Sequence, residues 1–429
     1  MSRARFGIDH PWSGASRATV RDSIKVGQVR IAGGAGVLTG LRYVGLGLAA
    51  AALLSACSAG NFNFGPGGGT TGGASQPLAT GKTFGKGPVR VALLLPLSGD
   101  PNLAGVGTSM ANASELAISF VETNPNIGEN ITVVLKDTGA TASGATQAAQ
   151  QALSEGASLI LGPLRADQVT AAGQVAKAAG VPVIGFSNNS GAASPGVYLL
   201  NILPESEVKR SMGYAKKLGK KAFAGVFPTT DFGRIQEGAF RQATADLGLN
   251  ARAVYNFSSE AEARNVVTQL VPMLQAGQID ALFIPDRATA PSFANLLNEA
   301  GIAPGKVQLI GSADWDGDPS ILNTTTLAGA IFPAIDDAGY NALLPEYQAK
   351  FGSAPHKFAT IAYTATILAN AGSLANGTPK YDRAQLTLPA GFNGRDGVFR
   401  FLPDGRSEYA LVIKQVSIGA ASIAEGAKL

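Results

Sequence analysis

The class of fold is decided by the segment Val89-Arg-Val-Ala-Leu-Leu-Leu-Pro-Leu-Ser-Gly99. Its first seven residues are almost continuously apolar, which predicts a strand buried on both faces rather than one of alternating polarity. A turn containing Pro and Gly follows, and an Ala-rich segment of helical period then runs over Asn102–Glu122. A buried strand that leads through a short turn into a helix is the repeating unit of a parallel α/β sheet.

The same strand and helix pattern recurs through the body of the chain. Strands are predicted at Val89–Leu95, Ile131–Lys136, Ser158–Leu161, Val181–Ile184, Ala222–Phe227, Ala251–Phe257, Ala281–Ile284 and Val307–Ile310. Helices are predicted at Asn102–Glu122, Gly144–Glu155, Asp167–Ala179, Glu205–Leu218, Gly233–Leu247, Glu262–Ala276 and Thr289–Ala300. Eight strands that alternate with helices are too many for one compact open sheet in a chain of this length. We therefore predict an α/β fold of two Rossmann-like, doubly wound lobes.

Composition excludes several classes of protein. The 429 residues include 45% hydrophobic side chains, which is enough for real cores and leaves room for two domains and tails. The single Cys cannot form an intramolecular disulfide. Together with only two histidines, His10 and His356, it does not supply the ligand set of a typical zinc, haem or iron–sulfur site. We therefore expect no metal and no cofactor.

The N-terminal region has the features of an export signal. Seven basic and two acidic residues precede an uncharged run from Tyr43 to Ala56, which is too short to span about 30 Å of hydrocarbon. The run ends in Leu54-Ser-Ala-Cys57, which resembles the lipobox of bacterial lipoproteins; the alternative is a buried cysteine. We predict a lipoprotein signal peptide over 1–56 and lipidation of Cys57. The basic region is long, so the true start lies downstream of Met1 or the signal is atypical.

Removal of this signal changes the charge of the protein. The whole chain has 34 basic and 30 acidic residues, and cleavage before Cys57 leaves 27 and 28, or a net charge of −1. Nucleic acid is therefore not an expected partner. Residues 57–88 are rich in Gly and small polar residues, which predicts a flexible tether of about 30 Å that holds the folded part near a membrane.

Polar, turn-forming residues follow each predicted strand, at the sheet edge where such folds bind ligands. They lie at 96–99, 162–165, 185–189, 228–233, 285–287 and 311–315. Hydroxyl groups, backbone N–H groups and helix N-termini there would suit a charged or zwitterionic solute. Ordinary turns and helix caps account for many of the same residues one by one.

The order of several short motifs resembles that of the type 1 periplasmic solute-binding family, the leucine/isoleucine/valine-binding proteins. The motifs are Val91-Ala-Leu-Leu-Leu-Pro-Leu-Ser-Gly99, Asp137-Thr138, Ala157-Ser-Leu-Ile-Leu-Gly-Pro163, Gly180-Val-Pro-Val-Ile184, Asp231-Phe-Gly233 and Phe399-Arg-Phe-Leu-Pro-Asp-Gly405. The resemblance implies two lobes joined by three hinge crossovers, near Asn201–Pro204, Ala330–Ala334 and Leu388–Phe392. It places 89–203 and 330–390 in lobe 1, and 204–329 and 391–429 in lobe 2.

The resemblance also implies which residues contact a ligand. The candidate residues are Ser98, Arg165, Ser187, Asn188, Asn189, Phe232, Arg287, Asp314 and Trp315. Arg165 and Arg287 depart from the family pattern and would suit a carboxylate or phosphate, unless they are solvated or paired with neighbouring aspartates. Trp315 either stacks on the ligand or packs as a structural aromatic residue.

The function implied is capture of a small, polar, amino-acid-like solute in the periplasm for an ABC permease. A second resemblance, over Gly311-Ser-Ala-Asp-Trp-Asp-Gly-Asp-Pro319 and Gly394-Arg-Asp-Gly-Val-Phe-Arg-Phe401, is to penicillin-binding protein activators. Those lipoproteins regulate a peptidoglycan synthase by contact, and a Ser after the lipidated Cys, here Ser58, is typical of the outer membrane. Both alternatives remain open at this point.

The sequence does not indicate an enzyme. After cleavage His356 is the only histidine, and no Ser lies in a Gly-x-Ser-x-Gly elbow, so a catalytic triad is not expected. Asp314, Asp316 and Asp318 alternate like the start of a calcium loop. However, Pro319 stands where that loop needs Gly, which favours a polar loop at the cleft edge.

Overall fold

The computed structural model describes residues 78–429, so the predicted signal peptide and Cys57 lie outside the described residues. These residues form two large sheets and one small sheet. Across the described range, no helix is both long and apolar enough to cross a membrane.

The first sheet has six strands in the order β1-β3-β2-β4-β5-β6. They are β1 (Thr83–Phe84), β2 (Val89–Leu95), β3 (Ile131–Asp137), β4 (Leu159–Leu161), β5 (Val183–Gly185) and β6 (Val197–Leu199). The strands from β2 to β6 are parallel, and β1 pairs antiparallel with β3 at the edge.

Helices cover both faces of this sheet, which explains the continuously apolar strand. Val91, Leu93 and Leu95 of β2 pack with helices α1 (Pro101–Thr123) and α10 (Ala359–Asn370). Ala92 and Leu94 face the opposite side, toward α2 (Ala142–Ser154) and α3 (Ala166–Ala178). Because successive side chains of a strand alternate between faces, both faces must be apolar here.

The second sheet has seven strands in the order β16-β15-β11-β10-β9-β7-β8. They are β7 (Ala222–Pro228), β8 (Asn250–Phe257), β9 (Ala281–Phe283), β10 (Gln308–Ile310), β11 (Ile331–Ala334), β15 (Leu411–Ser417) and β16 (Ala420–Lys428). The strands from β7 to β11 are parallel, whereas β15 and β16 add antiparallel pairs.

The second sheet is flanked by its own helices. They are α4 (Pro204–Lys217), α5 (Asp231–Asp246), α6 (Glu260–Gln275), α7 (Ala290–Glu299) and α8 (Pro319–Leu322). Val208 and Met212 of α4 and Phe240 of α5 pack on Phe223 and Phe283 of the sheet. The prediction of two doubly wound α/β lobes is therefore confirmed.

The remaining elements pack mainly against the first sheet. They are α9 (Ala338–Phe351), α11 (Gly372–Ala375), α12 (Arg383–Leu386), β12 (Phe392–Gly394), β13 (Gly397–Phe401) and β14 (Ser407–Tyr409). The strands β12, β13 and β14 form the small antiparallel sheet. The rings of Phe401 and Tyr198 lie 5.3 Å apart, so this sheet completes the first lobe's core.

The crossovers differ from the expected positions at two of the three places. The first passes between β6 and α4, as expected near Asn201–Pro204. The second lies at 335–337, because Ile331–Ala334 is itself a strand of the second sheet. The third lies between Tyr409 and Leu411 rather than near Leu388–Phe392, because the aromatic residues of the small sheet are buried in lobe 1.

The last part of the predicted tether is structured. Thr83–Phe84 forms the edge strand β1, and Phe84 is buried in the first core. Thr80 hydrogen-bonds to Glu155, which also accepts a 2.8 Å bond from the buried Lys136 ammonium. This short docking segment was not predictable from the sequence. The composition up to residue 77 is that of a coil, and a two-residue strand is too short to show a period of apolar residues.

Candidate functional site

A cavity of about 490 Å³ lies at the carboxyl ends of the parallel strands and is lined by both lobes. Lobe 1 contributes residues after β5 and β6, the start of α10 and the β12–β13 turn; lobe 2 contributes residues after β7, β9, β10 and β11. From lobe 1 the lining includes Asn188, Asn201, His356, Lys357, Thr360 and Asp396. From lobe 2 it includes Glu207, Phe232, Gln236, Arg287, Asp314 and Asp316. Pockets of 300–1,000 Å³ are typical of small-molecule sites.

Four of the nine residues predicted from the sequence line this cavity. They are Asn188 from lobe 1 and Phe232, Arg287 and Asp314 from lobe 2. Phe232 is placed by the tight start of α5, where Thr230 caps Gly233. A Cβ atom on Gly233 would come within 1.8 Å of the Pro228 carbonyl oxygen, so the turn requires glycine.

The other four polar residues predicted in lobe 1 do not line the cavity. The Ser98 hydroxyl donates to Asp137 over 2.6 Å, and Arg165 pairs with Asp167 at 3.0 Å on the surface. Ser187 is buried and its hydroxyl accepts from the N–H of Asn189, whose own side chain accepts from the N–H of Gly191. These residues hold the turns after the strands, which is the alternative interpretation made from the sequence.

Trp315 is a structural residue in this conformation. Its side chain is fully buried, and its indole N–H donates to the Pro285 carbonyl oxygen over 3.1 Å. The ring packs against Gly311, where a Cβ atom would lie 2.1 Å from it, and against Phe332. Trp315 therefore supports the loop that presents Asp314 and does not itself line the cavity.

Glu207 is a cavity residue that the sequence analysis did not identify. It lies in the first turn of α4, where it accepts hydrogen bonds from Gln236 over 2.7 Å and from the Ala313 N–H over 3.0 Å. Burial, together with the charges of Asp314 and Glu205, raises its pKa to about 7 against those two hydrogen bonds. A helical Glu in a polar segment predicts a solvated side chain, and only the packing of α4 against α5 and the 311–316 loop reveals its burial.

Asp396 is the second such residue. It lies in the turn between β12 and β13, and only 4% of it is exposed. Burial raises its pKa to about 6, although a hydrogen bond with Thr360 lowers it. The only sequence signal for Asp396 was the Arg-Asp pair in the motif at 394–401, and this pair does not indicate which way the aspartate side chain points.

The charge of the cavity is predominantly negative. Its lining contains six carboxylates, whereas its basic side chains are those of Arg287 and Lys357. Two of the carboxylates, Asp316 and Asp337, are bridged by Lys414, whose ammonium lies 2.8 Å from each. Burial also raises the pKa of Asp314, while Arg287 lowers it.

The three alternating aspartates of the loop do not converge on a metal site. Asp316 pairs with Lys414, and Asp318 caps α8 through the Ser320 N–H. Within residues 78–429, no group of three or more His, Cys, Asp or Glu side chains is arranged to hold a metal ion. His356 lies just before α10, where its Nδ1 accepts from the Phe358 N–H over 3.2 Å.

Comparison with known families and structures gives a consistent result. A family model described as periplasmic binding protein matches residues 88–394. A candidate branched-chain amino acid ABC transporter of Rhodospirillum rubrum is similar in structure, with a TM-score of 0.65, 18% identity and coverage of 78% of this chain and 99% of that one. A search of proteins with curated functions found no match.

Two further solved structures are similar at low identity. An ABC transporter substrate-binding protein of Desulfitobacterium hafniense in complex with Leu has a TM-score of 0.57 and 17% identity, covering 78% of this chain and 99% of that one. An ABC transporter solute-binding protein of Rhodopseudomonas palustris in complex with 3,4-dihydroxybenzoic acid has a TM-score of 0.52 and 20% identity, covering 80% and 97%. At these identities the structures establish the fold alone.

Proposed function

Because the chain belongs to the periplasmic binding protein family, we propose that it captures a small, polar, amino-acid-like solute between its lobes for an ABC-type importer. The observation that carries this proposal is the cavity of about 490 Å³, to which both lobes contribute charged and polar side chains. A site divided between two lobes couples ligand binding to lobe closure, because the ligand contacts both lobes only when they close. No covalent chemistry is required, so the protein acts as a binding protein and not as an enzyme.

We assign the ligand contacts to the four predicted residues that line the cavity. Asp314 binds an ammonium group, Arg287 binds a carboxylate, Asn188 supplies further hydrogen bonds and Phe232 packs on apolar atoms of the ligand. This assignment is supported by relatives of the same fold that were solved with Leu and with 3,4-dihydroxybenzoic acid, both of which are small acids.

The proposed location is the periplasm, with a lipid anchor on Cys57. The lipobox-like Leu54-Ser-Ala-Cys57 supports the anchor, and Ser58 supports the outer membrane as its site. The Gly-rich segment up to residue 77 then separates the anchor from the folded lobes.

A thermal shift assay of the full-length protein tests the ligand assignment. Amino acids, amides, carboxylates and amines are screened, and a solute at 100 times its Kd should stabilise the fold by about 2.7 kcal/mol. Asp314→Ala should weaken binding of the responding solute about ten- to hundred-fold, because it removes a charged hydrogen-bond partner. Asp231→Ala, which changes an exposed carboxylate outside the cavity, is the matched control. A panel without any response would contradict the proposal.

The second candidate function is contact regulation of a peptidoglycan synthase. It is supported by the activator-like segments at 311–319 and 394–401, which both contribute cavity residues, Asp314 and Asp396. Transglycosylase and transpeptidase rates measured with and without the protein separate the two functions. Stimulation of a synthase in the absence of any cavity ligand would favour this candidate over import.

A further inference from the structure

Two buried oxygen atoms of cavity-lining side chains have no hydrogen-bond partner among the described residues. They are Oδ2 of Asp396 and Oε1 of Gln236. The two residues are 4% and 1% exposed, respectively. A buried acceptor without a partner costs about 1–3 kcal/mol, and more when it is charged, so this pair calls for an explanation.

The two acceptors come from opposite lobes. Asp396 lies in the β12–β13 turn of the small sheet, which packs with lobe 1, whereas Gln236 lies on α5 of lobe 2. A ligand that contacts both would therefore bridge the cleft.

Neighbouring contacts orient the Gln236 side chain and engage the basic residue next to Asp396. The Gln236 amide donates from Nε2 to Glu207 over 2.7 Å, which leaves its oxygen as the free end. Arg395, although adjacent to Asp396, stacks over the Tyr363 ring with its guanidinium carbon 4.3 Å from the centroid, and its N–H donates to Thr364. The nearest basic residue in the sequence is thus engaged with an aromatic ring.

The other basic groups at the cavity are engaged elsewhere or exposed. Lys414 bridges Asp316 and Asp337, and Arg287 lies 3.7 Å from Asp318. Lys357 is exposed at the edge of the cavity. Glu207, the other buried carboxylate of the lining, is held by the two neutral donors Gln236 and Ala313. No ion pair within residues 78–429 involves Asp396 or Glu207, so burial favours their protonated forms, whereas a cation in the cavity would stabilise their charged forms.

We propose that the solute is a cationic amine or guanidine, and that Asp396 of one lobe and Gln236 of the other accept hydrogen bonds from its N–H groups. Basic amino acids, diamines and agmatine-like guanidines belong to this class. A neutral apolar side chain fits poorly because it would leave the two acceptors unpaired, and an anionic one fits poorly because its lone pairs would face the acceptors and the excess of carboxylates. The inference rests on the proposed function, since it names the class of solute for the same cavity.

Isothermal titration calorimetry on the full-length protein tests the inference. L-Arginine, L-lysine, agmatine and putrescine are compared with L-leucine and benzoate. We expect binding of at least one cationic solute and weaker or no binding of the neutral and anionic ones. Asp396→Asn should reduce the affinity for the cation about ten- to hundred-fold, since it removes the charge and retains the shape. Asp404→Asn, on the exposed turn after β13, should leave affinity unchanged.

The possible results distinguish failure of the inference alone from failure of the proposed function. Binding of leucine or benzoate without binding of any cation retains solute capture and overturns the cationic class. Failure of every solute overturns both. If circular dichroism shows that Asp396→Asn is unfolded, the cation affinity of Gln236→Met is measured instead. This substitution removes the second acceptor, so unchanged cation affinity would overturn the inference.

Discussion

Glu207 shows how the fold controls the protonation of a cavity carboxylate. The residue is buried by the approach of α5 and of the 311–316 loop, and its pKa is raised to about 7 from an ordinary 4.5. The folded protein therefore binds a proton at this site more tightly than the unfolded chain does. Between pH 4.5 and 7 the folded state holds the extra proton, so the free energy of unfolding falls as the pH rises.

Glu207→Gln should remove this pH dependence. The shift corresponds to about 3 kcal/mol of stability that the wild type loses between pH 4 and pH 8 through this residue. The oxygen of the glutamine can still accept the bond that Gln236 donates, whereas its amide nitrogen cannot accept from the Ala313 N–H. Urea unfolding at a series of pH values measures the effect, with the exposed Glu299→Gln as the control. A variant with the wild-type slope would show that Glu207 ionises normally.

At the scale of single residues, the sequence could predict a place at the cavity where the end of a strand alone decides the position, and ligand contact by these residues stays a prediction. Phe232 and Asp314 follow strand ends, and their places at the sheet edge result from the parallel topology. Trp315 and Ser187 also follow strand ends but are buried in the protein, since a loop position does not specify side-chain direction. Asp396 and Glu207 are ionisable residues whose burial arises only from contacts distant in sequence, so no local pattern predicted them.

At the scale of elements, eight of the ten parallel strands in the two large sheets of residues 78–429 were predicted, whereas the short parallel strands β6 and β11 and the antiparallel strands were not. The eight predicted strands all occur, with boundaries that differ by at most two residues. By contrast, β16 is largely exposed, and β12 and β14 have three residues each, so none of them has a strong apolar pattern. Their pairing depends on the sheet they join.

The short strand β1 gives a test at this scale. Phe84 is only 6% exposed and packs in the first core, whereas Leu78, six residues earlier, is 91% exposed. Phe84→Ala should lower the free energy of unfolding by about 3 kcal/mol, because a large buried ring leaves a cavity. Leu78→Ala should have no measurable effect. Equal stability of the two variants in urea would mean that β1 does not dock on the lobe.

At the scale of the whole molecule, both lobes and the segments that join them frame the cavity. The chain crosses after β6, at 335–337 and between Tyr409 and Leu411, and two of these places adjoin cavity residues. Near the first and third crossovers, the Ser407 hydroxyl donates to the Asn201 carbonyl oxygen over 2.7 Å, and the Asn201 amide donates to Phe186. Hinge segments adjacent to a ligand site are suited to closing the lobes on a solute.

Co-crystallisation of the full-length protein with the solute that raises its melting temperature most is the most direct test of the account. We predict electron density for one solute molecule in the cavity, with a nitrogen atom within hydrogen-bond distance of Asp314 or Asp396 and contacts to both lobes. Density at another surface, or a cavity occupied by water alone at saturating solute, would contradict the claim that this cleft captures a small polar ligand.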